Sequence, residues 1–382
     1  MGRRIRQADI ALKLGISQAT VSVVLSGRAG RDIAISPELR DLVLFTARDM
    51  GYHADPVARS LAGGRNRLLG VFTFEPVFPV GQRDFFHPFL LGIEQEAEAQ
   101  RYDLVLFTSA TDGAGRRSIY GSGTNRLRLA DGGLLLGLAP DREELARLVR
   151  EQFPFVFIGR RDVHGAGLSY VAADYVGATA SLVGELIALG HENICLVTGT
   201  ADLEPTVDRK TGFVRAHDLA GRTVRPASVW EVEPAGIGPA ELLSRRDQGV
   251  TAYAVEGAAD GELVGAFLAA AAQADLAVPD DVSLVVLGDV DEDGVAQRCT
   301  RFAVQREEMG RRAVRLLIDK LEAEDPSEVS RVTVPCVAIP GDTVGVRRDP
   351  RPTATPPRAR PAVRPPRPRP GPTDQPAKRP SS

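Results

Sequence analysis

Cysteine is scarce in this chain of 382 residues: Cys195, Cys299 and Cys336 are odd in number and far apart. That excludes a disulfide framework and a CxxC metal spacing, and it leaves buried free thiols as the reading. No run of 18 uninterrupted apolar residues occurs, so a membrane span is not expected. Met1–Arg6 is basic, but no apolar signal-peptide core follows it, and a cytoplasmic protein is expected. GxSxG, HExxH, GxGxxG and P-loop lysine patterns are missing, and His87 and His191 stand alone. Asp289–Gly294 begins like a calcium loop, but its twelfth position is Thr300 and not the bidentate glutamate such a loop needs. The expectation is therefore no enzyme, no metal and no cofactor.

What is present begins with Ala8–Gly27, ADIALKLGISQATVSVVLSG. A short helix carrying Ala8, Ala11 and Leu12 runs into a turn at Gly15. Ser17 then stands where a second helix needs its N-cap. That helix has Gln18, Ala19, Thr20, Ser22 and Ser26 on one face and Val21, Val24 and Leu25 on the other. This is the pattern of a helix-turn-helix whose second helix offers its front end to a DNA major groove. Ser36-Pro37-Glu38 opens a third helix, with Leu39, Leu42, Val43, Thr46, Ala47 and Met50 at helical spacing and Gly51 at its end. Asp55–Gly64 reads as a two-turn helix, marginal without a partner helix or DNA.

From Leu68 the pattern changes to alternating strands and helices: LLGVFTF, Leu90–Gln100, YDLVLFT, GGLLLGL, Glu143–Glu151, PFVFIGR, Gly177–Leu189, NICLVTG, SVWEV, TAYAV, VSLVVLG and Glu307–Ala323. Such alternation predicts open parallel sheets with helices on both faces, and some 280 residues suffice for two of them. Residues 347–382 are rich in proline and arginine with almost no apolar residues, which predicts a disordered tail. Charge is divided unevenly. Residues 1–67 carry a net +5, 68–346 a net −16, and the tail a net +8. A basic head on an acidic body suits nucleic-acid binding by the head alone.

These segments, in this order, resemble the LacI/GalR (lactose-repressor-type) family of transcriptional regulators over about residues 5–346. ADIALKLGISQATVSVVLSG resembles its DNA-binding signature, and GYHADPVARSLAGG its third-helix end and hinge helix. RDFFHPFLLGIEQEAE, LADGGLLLG, PFVFIGR, ALGHENICLVTG, RKTGF and VQREEMGRRAV each resemble a body segment. The resemblance implies a helix-turn-helix head over 1–54, a hinge over 55–67 and a periplasmic-binding-protein-like body over 68–346. The body would comprise two Rossmann-like subdomains, one over about 68–165 and 302–330, the other over about 166–301 and 331–346. It also implies a homodimer, or a tetramer built from two such dimers, a double-stranded, pseudo-palindromic operator as DNA partner, and a small, sugar-like effector in the interdomain cleft.

Carried over by position, the DNA-binding candidates are Arg6, Ser17, Gln18, Ala19, Thr20, Ser22, Val23, Ser26, Arg28, Ala58, Arg59 and Leu61. Gln18 can offer a bidentate amide to an adenine edge, and Arg6, Arg28, Arg31 and Arg59 can reach phosphates. Val23 stands where many family members carry arginine, so a guanine contact gives way to an apolar one. Leu61 matches the leucine that wedges into the minor groove at the operator centre. For the effector, Arg209 in RKTGF offers a guanidinium fork, Phe85 and Phe86 an aromatic pair, and Asp260 and Asp289 carboxylates. Ala259 and Gly288 replace two polar residues usual for sugar hydroxyls, which points to an unusual effector or to a weak response. Two other readings stand beside this one. A periplasmic solute-binding protein would share the body but lack the helix-turn-helix. A ligand-independent architectural DNA-binding protein would have a degenerate pocket.

Overall fold

The computed structural model describes residues 5–25, 35–52, 65–76, 83–108, 116–121, 123–257, 261–290 and 295–347. Among the described residues three helices form the head: α1 Gln7–Leu14, α2 Gln18–Leu25 and α3 Pro37–Asp49. The chain turns by 116° between α1 and α2, within the range of a helix-turn-helix. Ile10, Ala11, Val21, Val24, Val43 and Ala47 make the small core, flanked by half-buried Leu14, Leu25, Leu39 and Tyr52. Leu12 departs from the expected inward position and is 85% exposed. On so short a helix only the stripe through Ile10 and Ala11 reaches the partner helices, and Leu12 lies off it. Leu42, likewise expected in the core, is half-exposed on α3. That helix ends in paired amide bonds from Gly51 to Arg48 O and from Tyr52 to Ala47 O, the Schellman arrangement.

Among the described residues the body holds two six-stranded sheets. The first comprises β1 Leu68–Thr73, β2 Asp103–Phe107, β3 Gly132–Leu136, β4 Phe155–Ile158, β5 Tyr170–Ala173 and β11 Arg331–Val334. Its order is β11-β5-β4-β3-β1-β2, parallel throughout. The second comprises β6 Ile194–Thr198, β7 Val229–Glu231, β8 Ala252–Glu256, β9 Ser283–Leu287, β10 Thr300–Ala303 and β12 Val337–Ile339, in the order β12-β10-β9-β8-β6-β7. Helices cover both faces of each sheet. They are α4 Arg83–Ala99, α5 Arg142–Arg150, α6 Tyr175–Ala188, α7 Glu204–Leu219, α8 Pro239–Asp247, α9 Glu262–Gln273 and α10 Arg306–Glu322. Strand residues alternate between the two coverings: Leu134, Leu136, Val156 and Ile158 enter one core, and Leu135, Phe155 and Phe157 the other. Sheets buried on both faces explain the near-continuous apolar runs.

The division between sheets differs in detail from the expectation. Tyr170–Ala173 pairs with β4, and Arg331–Val334 pairs with β5, so both strands belong to the first sheet. The chain passes between sheets at Asp174, at Val304–Gln305 and at Pro335–Cys336. These crossings are tied together. Asp174 N–H donates to Val334 O at 2.8 Å, and Gln305 Nε2 donates to Pro335 O at 2.7 Å. Strand β12 runs antiparallel to β10, because β10 leads into the crossing and β12 leads out of it. Helix α4 begins seven residues before the expected Leu90. Pro88 removes one helical hydrogen bond, but burial of Phe86 and Phe89 on the same turns outweighs that loss.

His191 closes the turn into β6 and is 3% exposed. Its Nε2 lies 3.0 Å from Gly345 O, and its Nδ1 lies 2.8 Å from Thr251 Oγ1. The carbonyl can only accept, so Nε2 carries the proton and Nδ1 accepts from the threonine. Burial, reinforced by the nearby Arg347 charge, lowers the His191 pKa although the Gly345 bond opposes it. Below about pH 6.5 the unfolded chain binds this proton and the folded chain resists it, so stability falls with falling pH. His191→Gln is expected to flatten this acid limb, as read by urea denaturation at several pH values.

Candidate functional site

Two regions gather the candidate residues. In the head, Ser17 caps α2: its Oγ accepts from Thr20 N–H at 3.0 Å and lies 2.8 Å from Thr20 Oγ1. The Thr20 hydroxyl is thereby engaged locally and half-buried. Ser17, Gln18 and Ala19 are exposed at the positive front end of α2, a ready place for an anion or a base edge. Ser22 and Val23 are half-buried, and Val23 lies outside the head's core cluster. Arg6 precedes α1 with its side chain exposed, and its N–H donates to Asp9 Oδ2 at 2.8 Å. A guanidinium cannot accept, so Arg6 makes only the backbone half of a capping box and its side chain is not used as a cap. Ser26, Arg28, Arg31, Ala58, Arg59 and Leu61 lie outside the described residues, as do Ala259, Asp260 and the tail beyond Arg347.

The second region is a cavity of about 240 Å³ between the sheets, at the carboxyl ends of their strands. Ligands of open α/β sheets characteristically sit there. Phe85, Phe86 and Phe89 of α4 line it, with Ile158, Val304 and Met309. Phe86 is 1% exposed and serves the core, whereas Phe85 is half-buried beneath the Arg306 guanidinium, 5.1 Å from its ring centre. Arg209 and Asp289 also line this cavity, so four expected effector residues converge in one place.

Arg209 is only 4% exposed. Its Nε donates to Leu287 O at 2.7 Å, Nη1 to Glu256 Oε1 at 2.8 Å, and Nη2 to Gly257 O at 3.1 Å. One face of the guanidinium covers the Tyr175 ring at 4.3 Å, and burial raises the Tyr175 pKa despite that cation. Sequence reading missed Glu256. Its signal was a carboxylate ending the apolar run TAYAV, where a buried strand otherwise has no use for charge.

Ion pairs span the cavity from lobe to lobe. Arg160, after β4, holds Asp208 of α7 through Nη2 at 3.0 Å and Nε at 3.2 Å. Burial pushes the Asp208 pKa up, partly offset by Arg160. Burial would lower the Arg160 pKa, but the Asp208 bond and charge carry it above its ordinary value. Glu204 accepts from Arg142 Nη2 at 2.9 Å and lies 3.7 Å from Arg161 Nη1. Arg306, opening α10, reaches Asp289 Oδ2 at 2.8 Å. Cys336, at the third crossing, has its thiol pushed up to about 12 by burial, which keeps it protonated and unreactive. Among the described residues no cluster of metal-ligating side chains occurs, and no single helix is long and apolar enough to cross a membrane.

Comparisons with known proteins agree with this arrangement. The periplasmic binding protein-like domain family matches residues 183–344. The sucrose operon repressor of Klebsiella pneumoniae is 30% identical over 225 residues, covering 59% of this chain and 64% of that protein's length. The solved complex of the transcriptional regulator CelR with cellobiose aligns with a TM-score of 0.58 at 24% identity, over 89% of this chain and all of that one. A LacI transcriptional regulator from Bacillus cereus subsp. cytotoxis aligns with the same TM-score at 25% identity, over 74% of this chain and 99% of its own. With a helix-turn-helix head preceding a two-sheet, periplasmic-binding-protein-like body, the chain belongs to the LacI family.

Proposed function

We propose that this protein is a transcriptional repressor that binds a pseudo-palindromic operator as a dimer and responds to a small, sugar-like effector in its interlobe cleft. One observation carries the reading: an exposed, capped α2 front stands on the same chain as an aromatic-lined cleft crossed by lobe-to-lobe ion pairs. The names of its relatives support the ligand class, one being a sucrose operon repressor and another a regulator solved with cellobiose. Gln18 reads an adenine edge, Val23 touches a thymine methyl, and Ser17, Ala19 and Ser22 sit against the groove wall. Arg6, Arg28 and Arg59 neutralise phosphates, and Leu61, beside Ala58, wedges the minor groove open.

Helix α10 connects the two functions. Its first residue, Arg306, is paired with Asp289 across the cleft. Its last turn meets the linker from the head, where Arg65 bonds Leu321 O and lies 3.7 Å from Glu322. Asp131 fixes the same linker by accepting from the Asn66 and Arg67 amides at 2.8 and 2.7 Å. An effector that engages Asp289 competes with Arg306, and a shift of α10 then reaches the linker.

Selection of bound duplexes from random DNA, with and without a panel of mono- and disaccharides, tests this. The expected result is an inverted repeat whose binding changes with one sugar. Leu61→Ala should bind that repeat more weakly and bend it less, and equal bending would remove the wedge. The second reading, a DNA-binding protein indifferent to ligands, gains from one observation: the cleft's charged groups already satisfy one another. It predicts that no sugar shifts either melting or DNA affinity.

A further inference from the structure

We propose that Glu256 is an internal counterion occupying the anion position of Arg209, so that the cleft admits uncharged, hydroxyl-bearing ligands and rejects carboxylates and phosphates. This rests on the cleft being the effector site and narrows what enters it. An arginine at the floor of a cleft ordinarily invites an anion, because its planar fork matches a carboxylate or phosphate edge. Here the invitation is withdrawn. Each of the three guanidinium nitrogens is bound to a protein acceptor, one of them the Glu256 carboxylate. Glu256 is itself fully engaged. Oε1 also accepts from Thr206 Oγ1 at 2.7 Å, and Oε2 accepts from Gly199 N–H at 3.3 Å. With three of its five N–H groups bound and the side chain only 4% exposed, Arg209 would offer an arriving ligand anion a fork already shared with protein acceptors and a like charge already in place.

Position 288 explains why the carboxylate comes from β8. Gly288 has φ +147°, and a Cβ there would lie 2.7 Å from Gly257 O and 3.2 Å from Arg209 Nη2. No acidic side chain fits at that position, so the neighbouring strand supplies the negative charge instead. The other cations of the cavity are likewise spent: Arg160 on Asp208, Arg161 against Glu204, Arg306 on Asp289. Asp208 and Asp289 remain the accessible polar edges, with side chains 16% and 22% exposed. Both are acceptors suited to hydroxyl donors, beside the half-buried Phe85 ring.

The test uses the full-length protein. Glu256→Ala leaves a carboxylate-sized vacancy beside Arg209. Formate or acetate, compared with chloride at equal ionic strength, is expected to raise the Tm of this variant and leave wild type unmoved. In calorimetric titration, D-glucuronate is expected to bind Glu256→Gln at least about tenfold more tightly than wild type, with no matching gain for D-glucose. Equal responses of variant and wild type in both assays overturn the proposal. So does binding of glucuronate or glucose 6-phosphate to wild type that Arg209→Gln abolishes, a measurement that needs no Glu256 variant to fold. If no sugar alters DNA binding while formate still rescues Glu256→Ala, the effector reading fails and the counterion assignment stands.

Discussion

Gly92→Ala should destabilise the body by about 3 kcal/mol, near the upper end of what overpacking costs. Helices α4 and α10 cross with their backbones in contact. A Cβ on Gly92 would lie 1.9 Å from Glu307 O, and a Cβ on Gly310 would lie 2.3 Å from Phe89 O. The obstructing atoms are backbone, so no rotamer change relieves the overlap and the helices must separate. Separation would loosen Phe86, Phe89 and Ile93 from Met309, Ala313 and Leu317, all within one core cluster. Alanine recovers about 1 kcal/mol of helix propensity, which is too little to compensate. For a body of this size the loss should lower Tm by about 6–10 °C. Gly184→Ala is the control. It sits on α6 with open space at its Cβ, and it should be neutral or stabilising by up to about 1 kcal/mol. Equal melting shifts for the two variants would show that the α4–α10 contact is not limiting. Because α10 also joins the cleft to the linker, Gly310→Ala should weaken DNA binding as well as folding.

Much of this architecture is legible in the amino-acid order because it depends on local chemistry. Ser17 caps, Ser36-Pro37-Glu38 opens a helix, and doubly buried strands such as GGLLLGL write continuous apolar runs. Short strands at the crossings are another matter. Tyr170–Ala173 and Val337–Ile339 carry no periodicity long enough to register, and pairing partners far away in sequence decide them. Helices α7 and α9 went unread for a related reason. RKTGF was informative as a motif, but its charges interrupt the apolar spacing of α7, and α9 is apolar nearly all round and shows no one-sided stripe. In the cleft, sequence located Arg209, Phe85 and Asp289 but not what they bond. Arg209 looked available because nothing local reveals that Glu256, 47 residues away, lies against it. Arg142, Arg160, Arg161, Glu204 and Asp208 gave no signal at all, since charged residues near loops ordinarily read as solvated surface.

Those unread charges carry the second large prediction. Glu204→Ala should cost about 3 kcal/mol, because removing one partner of a buried ion pair leaves the other short of countercharge. Glu204 is 6% exposed at the first turn of α7, and its acceptors serve Arg142, Arg161 and the Asp162 amide, all from the opposite lobe. Arg161 cannot turn to water. It is 5% exposed, burial already lowers its pKa, and Glu204 and Glu75 are the carboxylates that offset this. Its remaining bonds, to Gly137, Leu138 and Arg160 carbonyls, supply dipoles but no countercharge. The control is Glu143→Ala. Glu143 and its partner Arg150 are 78% and 61% exposed, so its loss should change stability by no more than about 0.5 kcal/mol. Glu204→Gln keeps an acceptor for the Asp162 amide and should fall between the two. These contacts of Glu204 with the opposite lobe act as a latch; denaturant titration ranks the three variants, and equal costs for Glu204→Ala and Glu143→Ala would dissolve it. Function separates the latch from a merely structural pair. With Arg160–Asp208 and Arg306–Asp289 left as the lobe-to-lobe ion pairs, Glu204→Gln should open more readily. X-ray scattering should then show a larger radius of gyration at unchanged helix content. Ligand that bridges the lobes should restore the compact form, because its contacts replace those of Glu204 in the closed state.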